Sequence, residues 1–249
     1  MPKQSPHPPP TAKAVLAELK RSGSASHKAS KARLGIAVDS ALGVPLPAIR
    51  ALARKCGRHQ PLAEALWQSG FHEARLLASL VAEPDRIDLR TLEAWLADLQ
   101  TWDLCDHLCN TLLVNVPASF ERLPAWAADE REFVRRLAFS LMANLAIHQT
   151  EYVKPLTGRY LALIRRHASD PRPYVKKAVS WALRELGKRD HDLHTLDQAR
   201  ALARDLAASQ DGAERWVGAD ALKELDALAA VPGRRRLVAA KISRRRSSA

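Results

Sequence analysis

The spacing of the apolar residues constrains this chain most. From about Leu34 to Ala230 they recur every three or four positions, as in Leu76, Leu77, Leu80, Val81 and in Leu137, Leu141, Leu145. That period gathers them into one stripe along a helix. No stretch alternates apolar and polar residues as a half-buried strand does. Proline and glycine interrupt the pattern at Gly43-Val-Pro-Leu-Pro47, Gly57 to Pro61, Glu83-Pro84, Val116-Pro117, Leu123-Pro124, Lys154-Pro155, Asp170-Pro-Arg-Pro173 and Gly187. These residues end helices because proline lacks the backbone donor and clashes with the preceding turn. Ser169-Asp170-Pro171 offers a helix cap followed by a proline start. The chain is predicted to be all-α.

A weak repeat runs through the helices. Phe133-Val134, Tyr174-Val175 and Trp216-Val217 each open a helix with an aromatic–valine pair, 41 and 42 residues apart, and Phe71 and Trp102 precede them at steps of 31. Periods near 40 with paired helices are the mark of HEAT-type solenoids. A helix pair cannot bury its own apolar face, so neighbours stack and leave a curved surface along one side. The predicted architecture is therefore an α–α superhelix of HEAT-like repeats over residues 32–231, with a concave basic surface. Residues 1–31, rich in Pro, Ser and Lys, read as a flexible leader and linker with room for a short helix over Ala12 to Arg21. Residues 232–249 read as a disordered Arg-rich tail.

Composition narrows the class further. Three cysteines cannot supply a disulfide framework, which points to a reducing, cytoplasmic setting. No apolar run approaches the roughly 20 residues that span a bilayer, so no membrane partner is expected. Residues 1–10 lack the apolar core of a secretory signal. The net charge of +12 lies wholly in the two ends, +5 over residues 1–31 and +7 over residues 232–249. Between them the charge sums to zero but is blocked: +4 over 32–63, −8 over 64–130, +9 over 131–189 and −5 over 190–231. The +9 block lies inside the folded part and is the better argument for a nucleic-acid partner.

Three segments could carry chemistry. In Thr101-Trp-Asp-Leu-Cys-Asp106, Trp102 and Asp106 stand at i and i+4 and project from one face, whereas Asp103 is turned about 100° away. A Trp at the core edge with Asp106 in a surface ion pair explains the same pattern. In Tyr174-Val-Lys-Lys-Ala-Val-Ser-Trp-Ala-Leu-Arg-Glu185, Lys177 and Arg184 share the face of Trp181, an aromatic ring among cations suited to a polyanion. A core Trp covered by snorkelling Lys and Arg stems is the alternative. In Glu132-Phe-Val-Arg-Arg136 two arginines open an apolar helix against its dipole, which suits a phosphate; a solvated surface charge is the alternative. Cys105 and Cys109 read as core thiols rather than a metal site, and His191-Asp-Leu-His194 as a polar loop. Neither a phosphate-binding glycine loop nor a serine nucleophile motif is present, so no cofactor or metal is expected.

Taken together these segments resemble the DNA alkylation repair family, the HEAT-repeat alkylpurine DNA glycosylases of the AlkD type. The likeness runs from about Leu34 to about Leu228. It includes Ala41-Leu-Gly-Val-Pro-Leu-Pro-Ala-Ile-Arg50, Leu66-Trp67, Trp126 ten residues before Arg136, and Ala178-Val-Ser-Trp-Ala-Leu-Arg-Glu185. The resemblance implies that Trp102, Asp106, Arg136 and Trp181 form a DNA-facing catalytic cluster. Arg135, Lys176, Lys177 and Arg184 are added as candidate DNA contacts. The chain departs from the family where Phe133 replaces a frequent Trp, and over Arg33-Leu-Gly-Ile36, where some members carry an aromatic residue.

The activity so implied is hydrolysis of the N-glycosidic bond of N3- and N7-alkylated purines in duplex DNA. Such a purine is already cationic and leaves as a neutral base, so no general acid and no base flipping are required. A carboxylate beside the sugar would stabilise the oxocarbenium-like transition state and orient water. This assigns Asp106 the central role, Trp102 and Trp181 the sugar, and Arg136 a phosphate. A monomer is expected. Two further readings are a non-catalytic protein binding damaged or branched DNA, and a HEAT scaffold for a protein partner.

Overall fold

A computed structural model describes residues 10–189 and 194–230. Among the described residues every regular element is a helix: α1 (Ala12–Ser22), α2 (Ala25–Arg33), α3 (Leu46–Cys56), α4 (Gln60–Gln68), α5 (His72–Val81), α6 (Leu89–Ala97), α7 (Trp102–Thr111), α8 (Pro117–Ala128), α9 (Glu132–His148), α10 (Thr150–Val153), α11 (Thr157–His167), α12 (Pro173–Lys188), α13 (His194–Ala207) and α14 (Gly212–Ala229). The fold is all-α, as the apolar period predicts, and of the HEAT-like repeat class. The expected tail over 232–249 and residues 1–9 lie outside the described residues.

The chain divides into two compact units, Met1–Glu121 and Arg122–Ala249, with the boundary inside α8. In the first unit α5 packs against α3, α4 and α7; in the second α12 packs against α9, α11, α13 and α14. The aromatic residues of the sequence repeat fall at or near the starts of every second major helix: Phe71 caps α5, Trp102 begins α7, and Phe133, Tyr174 and Trp216 lie in the opening turns of α9, α12 and α14. The valine of each later pair, Val134, Val175 and Val217, is buried, whereas its aromatic neighbour is half-buried. The valine seats the helix on its neighbours and the ring stands at the rim.

The repeat period also sets which side chains meet. In the first unit bonds recur at a separation of 31: Trp67 Nε1 donates to Asp98 (2.9 Å), His72 Nε2 meets Asp103 (2.8 Å), and the Leu42 N–H donates to Glu73 (2.7 Å). In the second they recur at 40: Ser180 Oγ donates to Asp220 (2.7 Å) and Arg165 to Asp205 (2.7 Å). Each bond joins equivalent turns of successive repeats. Where α14 crosses α13, a side chain at Gly218 would strike the backbone of Ala203 and Ala207, so glycine there permits the close approach.

Two expectations are corrected. Leu123-Pro124 and Gly187, read as helix breaks, lie inside α8 and α12. Residues 22–31, read as a mobile linker, form most of α2, capped by Ser24, whose side chain accepts from the His27 N–H. Their Ser/Lys/Ala composition looked solvated, but Ala and Lys are good helix formers and Lys31 reaches the buried Glu73 carboxylate at 3.4 Å. Glu73 is 0% exposed and accepts from the N–H groups of Leu42, Gly43 and Val44, holding the chain that follows α2. The expected short helix over Ala12 to Arg21 is α1, which buries Val15 and Leu19.

Candidate nucleic-acid interface

The six tryptophans separate into two sets. Trp67, Trp95 and Trp126 are core residues. Trp67 and Trp95 stack with centroids 4.1 Å apart and planes 3° from parallel, and the Arg75 guanidinium lies 5.5 Å from the Trp67 ring. Trp102, Trp181 and Trp216 are half-buried. Half-burial leaves part of an indole face to meet something else.

In the first unit, α7 buries Leu104, Cys105, Leu108 and Cys109 and so fixes which side faces out. Trp102 and Asp106, one turn apart, share the half-buried side. The Trp102 indole N–H donates to the Leu34 carbonyl at 3.1 Å, which ties the ring to the segment after α2. Asp103, the next residue, meets His72 at 2.8 Å and Lys31 at 3.9 Å. Burial would raise its pKa, but the bond from His72 and the nearby charges of His72 and Lys31 win and hold it below the usual carboxylate range. The network Glu73–Lys31–Asp103–His72 thus anchors the segment on which Trp102 leans. Of its members the sequence reading names only Asp103, and only as turned from Trp102; the 31-residue repeat step was the available signal.

In the second unit the arginines nominated for DNA are largely occupied. Arg136 is 6% exposed, and its Nη1 donates to the Tyr174 carbonyl in the first turn of α12 at 2.7 Å. Above it the rings of Phe133 and Tyr174 lie 5.6 Å apart. Arg135 donates to Asp170 (2.6 Å) and to the Asp129 carbonyl (3.0 Å), and Arg172 donates to the same Asp170 and to the Glu130 carbonyl. Burial alone would raise the pKa of Asp170, but the hydrogen bonds from Arg172 and Arg135 hold it down at about 2. This cluster joins the start of α9 to the start of α12.

Along the seam between α12 and α14, Arg184 bonds Asp220 and Ser180 and lies 3.0 Å from Glu224, while Lys188 meets Glu224 at 2.5 Å. Lys176 sits 5.0 Å over the Trp216 ring. Of the nominated cations Lys177 is exposed, one turn before Trp181, whose indole N–H meets no acceptor among the described residues. Trp216 entered the sequence reading only as a repeat marker; the structure adds it as an aromatic surface beside Lys176. Cys105 and Cys109 are buried and in no disulfide, and no group of residues able to hold a metal occurs among the described residues.

The model of the family described as DNA alkylation repair enzyme matches residues 15–225. The chain belongs to the DNA alkylation repair enzyme family. Among solved structures it resembles a protein described as one of "a new family of proteins related to the HEAT-like repeat DNA glycosylases with affinity for branched DNA structures". That likeness has a TM-score of 0.72 at 20% identity and covers 87% of this chain and 94% of that one. No curated protein matches. Members of this family and their relatives thus supply the fold and the DNA context; no helix among the described residues is long and apolar enough to cross a membrane.

Proposed function

We propose that this member of the DNA alkylation repair enzyme family is an alkylpurine DNA glycosylase acting on duplex DNA that carries cationic N3- or N7-alkylated purines. The observation that carries this reading is the pair on α7: a carboxylate and an indole, one turn apart, both half-buried beside a helix face that is otherwise core. In the proposed step the bond between deoxyribose C1′ and the purine nitrogen breaks with its electron pair going to the base, which leaves neutral. The carboxylate of Asp106 stabilises the positive charge that grows on the sugar. It also orients the attacking water and takes its proton as the new C–O bond forms at C1′. The electron-rich face of Trp102 attracts the same growing charge, and that of Trp181 is offered to the same DNA.

Phosphate contacts hold the register. Lys177, being exposed, meets a phosphate directly. Arg136 does so by sharing the guanidinium that now holds the Tyr174 carbonyl. Lys176 contributes from its place over Trp216, and Arg135 and Arg184 add positive potential from within their ion pairs.

The test is release of free base from methylated duplex DNA. Asp106→Asn keeps shape and removes the charge, so excision of 7-methylguanine falls by about a hundredfold or more while DNA affinity stays within about twofold. Excision at the wild-type rate would remove Asp106 from the mechanism. A second reading, a non-catalytic protein that binds branched DNA, is favoured by the solved relative's affinity for such structures and by the engagement of Arg136 in the fold. It predicts tight binding to a three-way junction with no base release by the wild-type chain.

A further inference from the structure

We propose that a cleft in the first unit, between α2 and the helices α3, α5 and α7, is a binding site for a neutral purine nucleobase. Its volume is about 270 Å³. Pockets for drug-sized ligands run from roughly 300 to 1,000 Å³, so this one suits a single fused ring. Leu34, Val44, Ile49 and Leu76 give it aliphatic walls, the surface that a flat heterocycle packs against.

Its polar wall is specific. Asp103 offers a carboxylate, Lys31 an ammonium, and His107 a ring that is 9% exposed. Burial, then the charge of Arg50, pushes the His107 pKa down to about 4, so the ring is neutral near pH 7. One ring nitrogen faces the Leu76 carbonyl, while Nε2 has no partner among the described residues. A neutral imidazole that donates through one nitrogen presents a lone pair at the other. A buried acceptor left without a donor costs free energy, and a ligand N–H would relieve it. The wall therefore asks for a ring with N–H donors along one edge, which is what an aminopurine has.

The charges exclude a nucleotide. Glu73 and Asp103 already flank Lys31, at 3.4 and 3.9 Å, and leave little positive potential for a phosphate. The cleft also adjoins the proposed catalytic pair: Leu34, in its wall, accepts from Trp102, and Asp103 and His107 follow Trp102 and Asp106 on α7. The inference rests on the glycosylase reading in that the base lost from DNA is the ligand at hand.

Titration calorimetry of the full chain with free 3-methyladenine and 7-methylguanine, and with adenosine monophosphate as the charged control, tests it. Both bases bind, and the nucleotide binds at least about tenfold more weakly. Ser30 lies exposed at the rim, so Ser30→Trp plugs the mouth from outside the core. It weakens base binding by about tenfold or more with an unchanged melting temperature, and His107→Phe weakens it as much through loss of Nε2, at a lower melting temperature because the Leu76 carbonyl loses its donor. No binding by the wild-type chain at concentrations on the order of 5 mM, weak enough to mean under about 3 kcal/mol, overturns the proposal; so does equal binding by Ser30→Trp.

No DNA is present in that assay, so its failure and the failure of base excision are separate results. A duplex carrying 2-aminopurine distinguishes the sources. A fluorescence rise that Ser30→Trp cancels assigns the cleft to a base still attached to DNA. No rise, with the free base bound, assigns it to the released product.

Discussion

At the scale of single residues, identity and accessibility part company. Six tryptophans have the same chemistry, yet Trp67, Trp95 and Trp126 are core and Trp102, Trp181 and Trp216 are half-buried. Helical spacing says which residues share a side; it does not say which side the next repeat covers. Spacing sets Arg184 one turn after Trp181, but the guanidinium turns to Asp220 and Glu224 on the next helix. Trp181→Ala is expected to lower base excision by about tenfold or more while the melting temperature moves little, since half-buried side chains contribute less to stability. A parallel assay of Arg184→Ala separates the roles: its loss leaves Asp220 and Glu224 short of a partner and lowers the melting temperature first.

At the scale of elements, many boundaries were legible, though Pro124 lies inside α8 and Gly187 inside α12. The fastenings between helices were not. Proline, glycine and the aromatic–valine pairs mark where the helices begin. The pieces that lock one helix to the next are long-range bonds between charged groups, such as Arg135 and Arg172 on Asp170. Asp170 titrates at about 2 in the fold, below its ordinary 3.8, so its stabilisation is present above about pH 4 and is lost as pH falls from 4 to 2. Asp170→Asn should cost about 2 kcal/mol at pH 7, with the deficit against wild type shrinking toward pH 2 in denaturant titrations. Gly218→Ala should cost about 2 kcal/mol or more, because the added methyl meets backbone rather than a side chain that can move. A melting temperature equal to wild type would mean that α13 and α14 slide apart without penalty.

At the scale of the whole molecule, charge blocks in sequence become charge pairs in space. The +9 over residues 131–189 suggested a free basic face, but the acids of residues 190–231 answer part of it through Asp205, Asp220 and Glu224. Affinity for undamaged duplex should therefore show a modest salt slope from the folded repeats, with more contributed by the terminal cations. Removing residues 232–249 takes away seven Lys and Arg. If they engage phosphates, the slope of log K against log salt becomes shallower, by about 0.9 for each phosphate no longer neutralised. An identical slope would confine DNA binding to the repeats.

Local spacing was enough to establish the helical class, many of the helix starts and the repeat step, because these are written in the apolar period, the breakers and residues one repeat apart; the family is carried by the likeness of whole segments and shown by the match over residues 15–225. It also placed Trp102 and Asp106 on one side of one helix. The stacking of repeats was needed to fasten α2 through Lys31 and Glu73, to hold Arg135, Arg136 and Arg184 on partners in the fold, and to open a cleft beside Asp103 and His107. Those outcomes depend on groups far apart in the chain, whose mutual attraction and shielding from water arise only when successive repeats pack together.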